Sequence, residues 1–257
     1  MVQMHMPLKK KVLITGHAGS IGTVLRESYL NEKYDLSFLD KKKLDGIESF
    51  LADITSDDIT PAFKGIDTVI HLAADPREDA PFDSVFKNNI LGTERVFEAA
   101  KDTGVKKIIF ASSVRATDMY LLSRIPKGTE GNWWDLWENF GMRPQKLITP
   151  KDPANPYNHY GISKVYGENL GRYYSQRHKL DIICFRIGGF GREKPANDFL
   201  KSVWISHRDA IDGFDKAIES ENIRFGIYYL ISNNKTNVYD ISSTIKDLKY
   251  APKDDSD

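Results

Sequence analysis

The sequence is poor in cysteine, in net charge and in long apolar runs. Of its 257 residues one is cysteine, Cys184. A single thiol closes no internal disulfide, which fits a reducing compartment and a cytoplasmic protein. It lies in the apolar run Ile182–Phe185 and reads as a core residue. Lysine plus arginine and aspartate plus glutamate both number 36, so the formal net charge is zero. No basic field draws nucleic acid or an anionic membrane, and neither is expected as a partner. No apolar run approaches the ~20 residues of a membrane span. The opening MVQMHMPLKK lacks the apolar centre of a signal peptide, so none is expected. Internal repeats and low-complexity tracts are missing, and no metal is expected.

What is there begins with Lys11–Leu30, KVLITGHAGSIGTVLRESYL. Val12, Leu13 and Ile14 have the character of a buried parallel strand. A helical pattern follows, with Ile21, Val24, Leu25 and Tyr29 on one face. Between them Gly16, Gly19 and Gly22 recur at three-residue spacing. The first suits a tight turn, the second lets a pyrophosphate approach the backbone, and the third lets the helix pack close to the strand. Free N–H groups at the helix start then attract phosphate.

Strands and helices alternate from there. Strands are expected at Tyr34–Leu39, Ile47–Ala52, Asp67–Leu72, Lys106–Ala111, Asp181–Arg186 and Phe225–Ile231. Helices are expected at Asp57–Phe63, Phe82–Thr103, from Asn155–Tyr157 to Lys179, at Ala210–Ser220 behind a Ser206/Asp209 capping box, and at Tyr239–Leu248. Gly188–Pro195 reads as a loop and the acidic KDDSD as a frayed tail. The irregular stretch before Pro156 is too long for a structureless loop, so a short helix is expected around Trp133–Phe140. The fold class is α/β, a Rossmann-type doubly wound parallel sheet. Its cofactor domain covers residues 1–187, with 116–156 as an insert over the site. A small substrate-binding portion, 188–257, is integrated with it. Ligand belongs at the carboxyl ends of the strands. The glycine turn, Asp40, Asp53, Ala73-Ala74 and Ser112-Ser113 all follow strand ends and so share one rim. His71, within a strand, reads as a hydrogen-bonded core histidine.

Asp40 stands roughly 20 residues beyond the glycine turn, where an acid contacts the adenosine ribose and disfavours NADP. Lys41-Lys42-Lys43 follow it, either as a solvated basic turn or as a grip for a 2′-phosphate. Asp53 has two readings, a contact to the adenine edge or a cap for the next helix. Tyr160 and Lys164 stand at i and i+4 on one helix face. A lysine charge beside a phenol favours phenolate and lowers its pKa from ~10. Such a pair takes a proton from an alcohol, with Ser112 or Ser113 orienting that alcohol.

At this point TGHAGSIG, Asp40, LADI (Leu51–Ile54), HLAA (His71–Ala74), NNILGT (Asn88–Thr93), FASS (Phe110–Ser113) and YGISK (Tyr160–Lys164) together resemble the extended short-chain dehydrogenase/reductase family, over almost the whole chain. The resemblance implies Tyr160 as base, Lys164 as ribose ligand and pKa modifier, and Ser113 as the substrate-orienting hydroxyl. It implies NAD, with NADP as the alternative, held by Gly16, Ala18, Gly19, Ser20, Ile21, Gly22, Asp40, Asp53, Ile54, Leu72, Ala73, Ala74, Asn89, Ser112, Tyr160, Lys164 and Ile187. It implies substrate contacts at Asp75, Ser112, Ser113, Val114, Arg115, Tyr160, Gly188, Gly189 and Arg192. The C-terminal half, short for a nucleotide-sugar epimerase, is similar to uronate dehydrogenases and arabinose-type aldose dehydrogenases, which oxidise the anomeric carbon of a cyclic sugar to a lactone. The chain departs from the uronate enzymes at Val114-Arg115, where they have Asn-His. It departs again at Asp75-Pro76, and at Asn197-Asp198 near their carboxylate-binding arginine. The expected activity is therefore an NAD-dependent sugar dehydrogenase acting on an aldose or uronic acid. A nucleotide-sugar epimerase or dehydratase with tightly held NAD is the alternative. Trp133–Trp137 is read either as a stacking surface for the sugar or as a packing or subunit-contact element. A homodimer is expected from apolar residues Tyr166, Leu170, Tyr173 and Tyr174 on more than one side of the Tyr160 helix, as is the family's habit.

Overall fold

The computed structural model describes residues 9–122 and 146–257, so the Trp133–Phe140 helix and the Trp133–Trp137 segment lie outside the described residues. Seven parallel strands form the sheet, in the order β3-β2-β1-β4-β5-β6-β9. These are β1 (Lys11–Thr15), β2 (Asp35–Asp40), β3 (Phe50–Leu51), β4 (Thr68–His71), β5 (Lys107–Ser113), β6 (Asp181–Ile187) and β9 (Phe225–Leu230). The order reverses between β1 and β4, the place where such sheets open a crevice for a ligand.

Alternate residues of each strand feed two cores. Val12, Ile14, Ile109, Ile183 and Phe185 pack beneath α1 (Ser20–Arg26) and α8 (His207–Glu219), against Leu25, Ala210, Phe214 and Ile218. Leu13, Val69, Ile108, Phe110 and Ile182 pack on the other face against Val96, Phe97 and Ala100 of α4 (Gly92–Thr103) and Tyr174 of α6 (His159–His178). Burial on both faces explains why β5 and β6 read as continuous apolar runs rather than alternating ones. Cys184 is a buried free thiol of the second core. A third cluster, including Val114, Phe199, Tyr229 and Tyr239, packs residues that follow β5 against the C-terminal region.

Several elements differ from expectation for identifiable reasons. The third strand shrinks to Phe50–Leu51, paired only with the end of β2. The helix expected at Asp57–Phe63 is a 3-10 turn at Thr60–Phe63, where Pro61 fits the first turn. The long helix starts at α3 (Phe82–Val85) and passes through a π-helical stretch, Phe86–Leu91, before α4. The supposed loop after Gly188 contains β7 (Gly189–Phe190), α7 (Asp198–Val203) and β8 (Trp204–Ile205), with β7 and β8 paired in parallel. Two short helices, α2 (Leu30–Lys33) and α5 (Met119–Leu122), add to the expected set. The last helix is α9 (Ser242–Leu248), shorter than expected.

The acidic tail is docked, not frayed. Ser206 Oγ caps α8 by accepting from the Asp209 N–H (3.0 Å), but the Asp209 carboxylate does not close the box. It instead accepts from Ser232 Oγ and from the N–H groups of Lys253 and Asp254. Asp254 pairs with Arg208, and Ser256 is buried. The tail is thus held by the start of α8. Among the described residues no helix is long and apolar enough to cross a membrane.

Candidate active site

A cleft of about 670 Å³ runs along the carboxyl rim, from the glycine turn to Tyr160. At one end Gly16 adopts φ +74°, and a Cβ there would stand 2.6 Å from the Ala73 nitrogen, so only glycine fits between β1 and the end of β4. Gly22 is needed for a different contact from the one expected. Its Cβ would meet His17 Cα at 2.5 Å and the Gly16 carbonyl at 2.6 Å, so α1 sits on the turn itself. A Cβ on Gly19 meets only the Gly16 carbonyl, at 3.3 Å, and would otherwise occupy the cleft. That is the cradle a diphosphate needs at a helix start.

Asp40 ends β2 and ties the turn down. Its Oδ2 accepts from the Ala18 N–H (3.0 Å) and its Oδ1 from the Lys42 N–H (2.9 Å). Asp53 lines the cleft but does not cap the next helix: its Oδ1 accepts from Thr55 N–H at 2.8 Å, and the 3-10 turn Thr60–Phe63 starts behind Ile59 with no side-chain cap. His71 is the core histidine expected, held between Thr15 and Thr93, and burial pulls its pKa down to about 3. The donor set, a glycine turn, a carboxylate after β2 and small residues Ala73 and Ala74 after β4, fits a dinucleotide laid across the rim.

The other end carries the chemistry. Asn158 caps α6 by accepting from Gly161 N–H (2.8 Å), which fixes Tyr160 and Lys164 one turn apart. Lys164 Nζ lies 5.3 Å from the centre of the Tyr160 ring and 5.4 Å from that of Phe110. Burial pulls this ammonium down to about 8. Burial also pushes the Tyr160 phenol up to about 12, against a hydrogen bond from Ser113 and the Arg115 charge, which lower it. In the free protein loss of solvent outweighs those two, so the phenol lies above its ordinary value rather than below it as expected from Lys164.

The two serines separate. Ser113 faces Tyr160, and its Oγ accepts from Arg115 N–H at 3.2 Å. Ser112 Oγ donates to Glu168 Oε1 at 2.6 Å. Glu168 in turn is held by Arg186 through two bonds of 2.8 Å, both side chains nearly solvent-free. Removing one partner of such a pair strands a charge and costs about 3–5 kcal/mol. The helix spacing Tyr160, Lys164, Glu168 and the arginine in the strand CFRI are the sequence signals for this pair.

Eighteen of the expected residues line the cleft: Gly16, Ala18, Gly19, Ser20, Ile21, Gly22, Asp40, Asp53, Ile54, Leu72, Ala73, Ala74, Ser112, Ser113, Tyr160, Lys164, Ile187 and Gly188. Six do not. Asn89 lies behind the wall, its amide bonded to the Asp75 backbone and to Ser163, while Asn88 takes the lining position. The Asp75 carboxylate is turned to Arg77 and Ser84, which holds its pKa far down. Val114 belongs to the third core cluster, Arg115 pairs with Glu78 and Asp118, Gly189 opens β7, and Arg192 is exposed. Lys41, Lys42, Pro76 and Phe190 line the cleft beyond the expected set. Phe190 stacks on His207, centroids 4.7 Å apart. Among the described residues no group of His, Cys, Asp or Glu is arranged to hold a metal ion.

Comparison with known proteins agrees with this geometry. The chain is 34% identical to the NAD-dependent glucose-6-phosphate dehydrogenase of Haloferax volcanii, over 97% of this chain and 95% of that protein. It is 30% identical to the L-arabinose 1-dehydrogenase (NAD(P)(+)) of the same organism, over 96% and 97%. A mutant uronate dehydrogenase from Agrobacterium tumefaciens, solved complexed with NAD, superposes with a TM-score of 0.79 at 26% identity, over 96% of this chain and 86% of that one. The model of the NAD dependent epimerase/dehydratase family matches residues 12–206, from β1 past the Tyr160 helix to the start of α8. With the glycine turn, the acid after β2 and the Ser113–Tyr160–Lys164 group all inside that span, this chain belongs to the NAD-dependent epimerase/dehydratase family.

Proposed function

We propose that the chain is an NAD-dependent dehydrogenase that oxidises a small cyclic sugar at its anomeric carbon to a lactone. The observation that carries this reading is the meeting of Ser113, Tyr160 and Lys164 at one end of a cleft whose other end is the glycine turn. NAD, when bound, supplies the acceptor for the hydride that leaves C1. Ser113 holds the anomeric hydroxyl, and Tyr160 as phenolate takes its proton as C1 becomes the lactone carbonyl. Lys164 supplies a cation beside the phenolate and donors for a ribose. Asn89 keeps the loop after β4 in place through the Asp75 backbone. Residues 1–187 bind the cofactor, and 188–257 contribute to the substrate side through Gly188 and Phe190.

The reading extends to a cytoplasmic homodimer. Phe82, Phe86, Leu91, Ile162 and Tyr173 leave exposed apolar surface on α3, the π-helical stretch and α6. Tyr174, expected at that surface, is instead buried in the core. Apolar surface of this kind meets a partner, and a monomeric mass by light scattering would remove the dimer.

The test of function is a panel of neutral aldoses, uronic acids, aldose phosphates and polyols, with NAD and NADP in parallel. Net reduced cofactor and a lactone from at least one sugar are expected. Turnover of a nucleotide sugar by firmly held NAD, with no net reduction, would replace this reading by an epimerase.

A further inference from the structure

The glycine turn has a back as well as a front. Of residues 16–22, His17 alone does not line the cleft. Its side chain is fully buried, with the ring centre 5.0 Å from that of Phe38 in β2. Arg26, a buried residue in the last turn of α1, reaches it from behind the turn. Arg26 Nη1 donates to the His17 carbonyl at 2.9 Å and to His17 Nδ1 at 3.2 Å. Its Nη2 donates to Glu27 Oε1 at 3.0 Å. A guanidinium has no acceptor, so the imidazole accepts at Nδ1 and carries its proton on Nε2.

The His17 carbonyl and the Ala18 N–H are the two ends of one peptide unit. Asp40 Oδ2 accepts from that N–H at 3.0 Å. A cation therefore holds the oxygen end of the peptide and an anion holds the nitrogen end. Both charges match the direction of the peptide dipole, and bonds to charged groups are stronger than neutral ones. The unit is planar, so two bonds at its opposite ends fix its rotation about the chain.

The groups on either side are tied as well. Gly16 N–H donates to the Leu39 carbonyl at 2.9 Å, and Gly19 N–H to the Gly16 carbonyl at 3.1 Å. The start of α1 then leaves the N–H groups of Ser20 and Ile21, which line the cleft, for a diphosphate. A flipped 17–18 peptide would point its carbonyl at the Asp40 carboxylate, on the cleft side, and its N–H at Arg26. Both contacts would be repulsive, and the carbonyl would add negative charge where phosphate lies.

We propose that Arg26 is a positioning residue for the dinucleotide. With Asp40 it locks the His17–Ala18 peptide, and so pre-forms the turn on which the diphosphate rests. The role belongs to the cofactor end and is independent of which sugar is oxidised.

The experiment measures NAD affinity by calorimetry and melting temperature for the full chain. Arg26→Met keeps the length of the side chain and removes the donors. It should weaken NAD at least tenfold. Val96→Ala, a cavity in the opposite core, is the control. It should lower the melting temperature and hold NAD affinity within twofold. The double variant Arg26→Met/Asp40→Ala should lose at least threefold less than the product of the single losses, because one freed end already releases the peptide. Arg26→Met binding NAD within twofold of wild type would overturn the proposal. Single losses that multiply in the double variant would overturn it too, since the two residues would then act separately. An equal NAD loss in Val96→Ala would make the effect one of stability and overturn the role. Should Arg26→Met fail to fold, Arg26→Gln decides. With no charge and a shorter reach it should weaken NAD at least fivefold, and binding within twofold of wild type would overturn the proposal.

Discussion

The two ends of the cleft are built by different means. The cofactor end is mostly backbone: a glycine turn, a helix start, and the small residues after β4, with Asp40 bracing the turn through two N–H groups. The sugar end is side chains converging from separate loops and helices: Ser113 from β5, Tyr160 and Lys164 from α6, Phe190 from β7, and Pro76 from the loop after β4. A backbone site recognises what all dinucleotides share. A side-chain site can be changed one residue at a time while the scaffold stays. The relatives display that outcome, since proteins named for glucose 6-phosphate, arabinose and uronate share one fold with this chain.

The largest effect should come from Tyr160→Phe. The ring still packs and only the hydroxyl is lost, so NAD affinity should stay while kcat falls by about a thousandfold or more, roughly 4 kcal/mol of barrier. Retention of more than about a tenth of wild-type kcat would show that Tyr160 is not the base. Gly16→Ala should do the converse. A Cβ 2.6 Å from the Ala73 nitrogen, at φ +74°, forces the turn away from β4. NAD affinity measured by calorimetry should drop about a hundredfold, with melting temperature lowered as well. A Gly16→Ala variant that binds NAD normally would mean the turn is not what shapes the cofactor end.

This contrast also explains how much is legible in the sequence. Gly16-x-x-Gly19-x-x-Gly22 and Tyr160-x-x-x-Lys164 are short spacings, and their geometry is fixed by a turn and by a helix repeat. The ends of β1, β4, β5 and β6 can be found because doubly buried strands are apolar runs, whereas exposed β3 is shorter than expected. Asp75 misleads because its neighbours decide its direction: Arg77 and Ser84 turn the carboxylate away from the cleft. Glu168 and Arg186 meet across 18 residues, signalled only by helix spacing and an arginine in an apolar strand, and Arg115 and Glu78 meet across 37 with no local pattern to announce them. The tail looks frayed for the same reason, since Asp254 finds Arg208 and the start of α8 only after folding.

Lys164 offers a test that joins the two ends. Burial lowers its pKa to about 8, so the ammonium is present below that pH and lost above it. NAD carries net negative charge, and its affinity should therefore fall as pH rises through 8, by about tenfold between pH 7 and pH 9.5. Lys164→Met should bind NAD more weakly at pH 7 and show no such fall. An equal fall in the variant would assign the pH dependence to another group.

Asp40 should give the smallest effect, because its two roles partly offset. Its oxygens brace the turn, and a further lone pair on each can accept from a ribose hydroxyl while the charge opposes a 2′-phosphate. Lys41 and Lys42 line the same end, and Lys41 Nζ stands 3.7 Å from Asp53, so cationic charge is at hand for a phosphate once the repulsion is removed. Asp40→Ala should weaken NAD about tenfold and leave NADP unchanged or improved, which shifts the NAD/NADP ratio of kcat/KM by about tenfold or more. Asp40→Asn separates the roles. It retains one accepting oxygen and loses the charge, so it should shift the ratio with a smaller loss of NAD affinity. If the wild type already prefers NADP by tenfold or more, the lysines, not the carboxylate, set the choice. The cofactor end would then owe its selectivity to side chains after all, as the sugar end does.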